Sequence, residues 1–109
     1  MEANDGPIRS RFEDDPSYAE TIEAFVVALA ERVDALQDQE ASGDWPRLIS
    51  GLSELANASE RAGYPDLAEC AGEVARAARD RHGELAYKAL VVLTGVAQRI
   101  RSAHRGALF

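Results

Sequence analysis

The sequence predicts an all-α protein folded as an antiparallel up-down-up-down four-helix bundle. Three observations lead there. Alanine is abundant and runs of β-branched residues are scarce, which favours helix over strand. Apolar residues recur at three- and four-residue steps through four segments of the chain. The segments are separated by two to four residues rich in Gly, Pro and Asp, and connections that short join antiparallel neighbours. Helix is expected over about three quarters of the chain, against a base rate of roughly one third.

Residues 1–14 carry Gly6, Pro7 and mixed charges and read as a flexible arm, from which Ile8 and Phe12 can tuck against the body. The bundle is expected over 15–105. Its first helix opens at Asp15–Pro16–Ser17, with Asp15 as N-cap and Pro16 at the first helical position, where its missing N–H costs nothing. A capping box from Ser17 to Glu20 is the competing boundary. Ile22, Phe25, Val26, Leu29, Val33 and Leu36 form one apolar stripe, and Glu23, Glu31, Arg32, Asp34, Asp38 and Glu40 take the other faces. Ser42–Gly43 ends the helix, the glycine supplying a left-handed cap.

Asp44–Trp45–Pro46 starts the second helix by the same device, and Trp45 is expected to cover one end of the bundle. At about 100° per residue, Leu48, Leu52, Leu55 and Ala62 fall in one arc, with Ser50, Ser53, Asn57 and Glu60 opposite. Gly63 ends it. Pro65 and Asp66 open the third helix, with Leu67, Cys70, Ala71, Val74 and Ala78 inward and His82–Gly83 as its stop. The fourth runs from about Glu84 to His104, burying Leu85, Leu90, Leu93, Val96, Ala97 and Ile100. Gly95 marks the expected point of closest helix approach. Gly106 is expected to close the fourth helix, leaving 106–109 as a C-terminal tail.

The chain of 109 residues has room for one domain. Its net charge of −7 and pI near 4.7 argue against binding a phosphate backbone, which needs clustered Lys and Arg. Eleven of the twelve basic residues are Arg, and Lys88 is the only lysine. One cysteine, Cys70, has no internal disulfide partner, so a reducing, cytoplasmic setting is expected, with Cys70 as a small core residue. No apolar run reaches the roughly 18 residues of a membrane span, and no secretory signal follows Met1. No cofactor is implied. Asp80, His82 and Glu84 straddle a helix break with no second ligand pair, so they read as solvated charge rather than a metal site.

From Ser42 to Ala78 the chain reads SGDWPRLISGLSELANASERAGYPDLAECAGEVARAA. This resembles the histidine-containing phosphotransfer (HPt) domain of bacterial phosphorelays. That family opens its second helix with a Gly-Asp-Trp-like start and carries His-x-Leu-Lys-Gly in mid-helix. Gly-Phe/Tyr-Pro and a Leu/Ala-rich third helix follow. The stretch DDPSYAETIEAFVVALAERVDAL is similar to the family's opening helix, and the likeness covers about Ile8 to Arg101. Aligned on Gly43–Asp44–Trp45 and Gly63–Tyr64–Pro65, the family's phosphorylated histidine falls on Ser53. Leu55 is kept, Ala56 stands for the lysine, and Asn57 stands for the glycine.

The resemblance implies an HPt-like bundle of a two-component system with a degenerate phosphosite. A relay intermediate is a phosphoramidate, close in transfer potential to an acyl phosphate, whereas a serine phosphoester is a dead end. Ser53 also has no base on its own helix face to activate it. Ala56 cannot neutralise transferring phosphoryl oxygens, and Asn57 fills space that a glycine leaves open. The implied role is docking without catalysis, and the protein is not expected to be an enzyme. Receiver or histidine-kinase domains are the implied partners, and Ile49, Ser50, Ser53, Ala56, Asn57 and Glu60 the implied docking face.

Two other readings compete. A displaced histidine, His82 or His104, can serve as phospho-acceptor, although both stand where a cation would cap a helix end. Alternatively the bundle is purely structural and pairs with itself as a homodimer, with an apolar patch away from the second helix or the Ala107–Leu108–Phe109 tail as the adhesive element.

Overall fold

Asp15 turns the chain into the first helical element. Its carboxylate accepts from the backbone N–H of Ser17 at 3.0 Å and from the Ser17 hydroxyl at 2.7 Å. These bonds hold its carboxyl below the usual carboxylate range. A single 3-10 turn, Pro16–Tyr18, then leads into α1, Ala19–Ala41. The Asp15 cap is therefore used, and a Ser17 capping box is not. The remaining helices are α2, Trp45–Ala62; α3, Pro65–Arg79; and α4, Gly83–Ala107. The computed structural model describes residues 6–107, and among these there is no strand. Residues 1–5 of the expected arm, and Leu108 and Phe109 of the expected tail, lie outside the described residues.

Three helices end in the same hydrogen-bond pattern. After α1, Asp44 N–H donates to Gln39 C=O at 2.9 Å and Gly43 N–H to Glu40 C=O at 3.1 Å. After α2, Tyr64 N–H donates to Ser59 C=O at 2.8 Å and Gly63 N–H to Glu60 C=O at 3.1 Å. After α3, His82 N–H donates to Ala77 C=O at 3.0 Å and Arg81 N–H to Ala78 C=O at 3.1 Å. Such paired bonds satisfy orphan carbonyls and demand a left-handed residue at the turn. Gly43 (φ +72°) and Gly63 (φ +87°) fill it as expected. At the third stop the position belongs to Arg81, at φ +59°, and not to Gly83, which opens α4. Gly106 likewise does not end α4, which continues through Ala107.

Each helix packs on its chain neighbour, and α1 closes the circuit against α4. The core is built mainly from aliphatic side chains, with Leu29, Leu48, Leu52, Leu55, Leu67, Leu93 and Ile100 fully enclosed. Each such side chain contributes roughly 1.5–3 kcal/mol relative to exposure. The Phe25 ring stacks on Tyr64 at 5.5 Å, joining α1 to the start of α3. Along α4 the inward arc is Ala86, Leu90, Leu93, Ala97 and Ile100. Leu85, expected in the core, lies one 100° step off that arc and is 55% exposed. Val96 and Cys70, also expected inside, are half-buried at the core margin.

Gly95 makes no tight contact: an added Cβ there would meet nothing within 4 Å. A tight glycine contact falls at Gly51, whose Cβ position is 3.0 Å from Leu36 Cδ2 of α1. Another falls at Gly63, under the N-terminal segment. The Ser10 hydroxyl donates to Ala62 C=O at 2.6 Å and accepts from Phe12 N–H at 3.0 Å. Arg11 N–H donates to Gly63 C=O at 2.9 Å. Phe12 stacks on Tyr18 at 4.4 Å, and both it and Ile8 pack against the core. Ser10 and Arg11 thus bind the carbonyl end of α2, with Ile8 and Phe12 tucked against the body as the sequence suggests.

Candidate functional site

The outward face of α2 is set by how the helix begins and what it buries. Asp44 accepts from Arg47 N–H at 3.4 Å and lies 3.6 Å from the Arg47 guanidinium, while Pro46 occupies the first turn. Trp45 is half-buried against the core. With Leu48, Leu52, Leu55, Ser59 and Ala62 turned inward, helical periodicity carries Ser50, Ser53, Glu54, Asn57 and Glu60 to solvent. Ser53 stands near the middle of the helix. Among the described residues, Ser50, Ser53, Asn57 and Glu60 make no side-chain hydrogen bond or ion pair. The inward Ser59 behaves differently, donating to Leu55 C=O at 2.7 Å.

Ile49 and Ala56 flank this strip. Both are half-buried and packed against the core, so their apolar surface is shared between the interior and the outer face. The face is thus a polar strip with narrow apolar margins. No imidazole, amine or thiol joins it. In the turns adjoining Ser53, at three and four residues' distance, stand Ile49, Ser50, Ala56 and Asn57, so neither a carboxylate nor a cation flanks its hydroxyl there.

The two histidines stand elsewhere. His82 lies in the α3–α4 connection, exposed, and its backbone C=O accepts from Ala86 N–H at 2.9 Å as the first bond of α4. His104 is near the end of α4, but its ring reaches across to α1. Its Nε2 is 2.7 Å from Glu23 Oε1, with the ring largely covered. It therefore ties two helices together. Asp80 and His82 share a shallow surface cavity of about 310 Å³ with Glu73, Arg76 and Leu85. Among the described residues no three His, Cys, Asp or Glu side chains gather as a metal-holding group. No helix there is long and apolar enough to cross a membrane.

Cys70 has its thiol pushed up, first by burial and then by Glu73, Glu69 and Asp66, which disfavours the reactive thiolate. Burial also raises Tyr64, reinforced by Glu13 and opposed by Arg9. The carboxamide oxygen of Gln39, beside Gly51, is buried with no hydrogen-bond partner.

The feature that sequence reasoning missed is on α4. Leu85, Tyr87, Val91 and Val92 are each more than half exposed. The signal was present: apolar or aromatic residues at 85, 87, 90, 91, 92 and 93 exceed what one helix face can bury. Compared with known proteins, the chain matches no protein-family model, no curated protein and no solved structure.

Proposed function

We propose that the protein is a docking module of a two-component phosphorelay. In this reading its helices form an antiparallel up-down-up-down bundle of the HPt type, and it works in the cytoplasm. Its α2 face binds a receiver or histidine-kinase domain and passes no phosphoryl group. One observation carries the reading: Ser53 stands exposed in mid-α2, at the position where the resemblance calls for the phospho-accepting histidine. Gly43–Asp44–Trp45, at the start of α2, and Gly63–Tyr64–Pro65, at its stop, are the motifs on which that alignment rests. Between them a surface is presented without the groups that phosphoryl transfer uses. A polar strip with apolar margins suits a reversible protein contact, in which only a modest area is buried.

The test has two arms. Incubated with a phosphorylated receiver or with an autophosphorylated kinase, the protein should acquire no label while still being retained on that immobilised partner. Ser53→His combined with Ala56→Lys and Asn57→Gly should then acquire acid-labile label. Stable label on His82 or His104 of the unsubstituted chain would make it an active carrier and end the proposal. Failure to bind any receiver or kinase from the same cell would end it equally.

A further inference from the structure

Four of the five most exposed large apolar side chains among the described residues stand on one stretch of α4: Leu85, Tyr87, Val91 and Val92. They surround Lys88, whose ammonium lies 3.4 Å from Glu84. Two turns further on, Gly95 floors an open groove of about 420 Å³ walled by Arg99, Ser102 and the Gly6–Pro7 segment. We propose that this face pairs with the same face of a second copy of the chain, the two α4 helices running antiparallel about a two-fold axis between Val91 and Val92.

The argument is self-complementarity. Positions 84, 88, 91, 95 and 99 fall on one outward stripe of α4 by helical periodicity. About an axis between 91 and 92, Val91 of one copy faces Val92 of the other, which buries the centre of the apolar patch. Lys88 faces Gly95, where nothing stands within 4 Å of an added Cβ, so the long lysine stem has a gap to lie in. Glu84 faces Arg99, placing opposite charges together at both ends of the contact. A two-fold axis makes each of these matches occur twice.

Net charge opposes pairing through α4 less than pairing through α1. α4 carries Lys88, Arg99, Arg101 and Arg105 against Glu84 alone, in a chain of net charge −7. Six acidic residues stand on α1. Two copies meeting on α4 keep those acidic helices apart, whereas contact through α1 would bring them together. An unrelated acidic helix would suit Lys88 and Arg99 but would set like charge against Glu84.

The oligomeric state tests this. Light scattering and sedimentation from low-micromolar to millimolar concentration should show a rise from one chain mass to two. Val91→Glu with Val92→Glu, at exposed positions that leave the core intact, should weaken the dimer at least tenfold, with far-UV dichroism unchanged. Glu84→Arg and Arg99→Glu should each weaken it, and the two combined should restore it. That restoration separates interface pairing from loss of the Arg99 bond to Gly6 C=O. Glu69→Gln, exposed on α3 and outside both surfaces, should leave the mass unchanged. A monomer at every concentration, a dimer indifferent to the valine changes, or failure of the combined charge swap to restore it would refute the proposal. No receiver is present in these measurements, so their failure would leave the α2 docking reading standing.

Discussion

Replacing Gly63 by Ala tests how the N-terminal segment is held. Gly63 has φ +87°, a conformation that costs an L-residue roughly 1–2 kcal/mol. The added methyl would also stand 2.8 Å from Phe12 Cδ2, against the Ser10 hydroxyl, and 3.2 Å from Arg11 Cγ. Those atoms belong to the segment bonded to Ala62 C=O and Gly63 C=O, so relief of the clash must lift it away. Two hydrogen bonds are then lost, at about 1 kcal/mol each. Reduced entropy of the unfolded chain returns roughly 0.4–1 kcal/mol. The net expectation is a loss of about 3 kcal/mol, read by urea denaturation. Gly43→Ala is the internal control, because Gly43 has φ +72° but nothing within 4 Å of its Cβ position. It should show only the backbone part, about 1 kcal/mol. If both substitutions cost the same, the segment's contacts contribute nothing to stability and the reasoning fails.

Arg81→Gly should act in the opposite sense: an exposed arginine at φ +59° is relieved of left-handed strain, with an expected gain of roughly 0.5–1 kcal/mol, and a lower denaturation midpoint would contradict this. Cys70 should react slowly with alkylating agents at neutral pH. Its thiol is raised in the folded state, so the unfolded chain ionises first, and stability should fall as pH rises past the ordinary thiol value near 9.0. Cys70→Ala should flatten the onset of that decline; Tyr64, raised from 10.0, adds a decline of its own at higher pH. An unchanged pH profile in the variant would show that the thiol is solvated in the native state.

The elements legible in the sequence were those with a local chemical signature. Asp15 and Asp44 announce helix starts because a short carboxylate with a proline one or two residues on suits a cap and a first turn. Gly43 and Gly63 announce stops because the left-handed turn excludes most side chains. Arg81 carries no such signature, and Gly83 two residues later attracts the stop that the arginine actually makes. Leu85 and Ala86 illustrate the limit of periodicity. Adjacent apolar residues leave the phase of a helix ambiguous by one step, and the smaller side chain is the buried one. For the same reason the exposure of Ser53 was legible, its neighbours on α2 alternating cleanly between leucine and polar residues. Ser10 was not legible, because its bond to Ala62 spans 52 positions and no local pattern encodes such a partner. Function is more remote still, since many activities share a helical bundle.

A few specific bonds hold the outer described segments: Ser10 and Arg11 onto the end of α2, and His104 onto Glu23. Packing of α2 on α3 and of α3 on α4 needs only tight turns, so it demands little loop-closure entropy. Seating α1 against α4 joins positions 81 residues apart, and so belongs to the late, slow part of assembly. Native-state hydrogen exchange should accordingly find the 8–12 strap and the first turns of α1 opening at lower free energy than the α2–α3–α4 core.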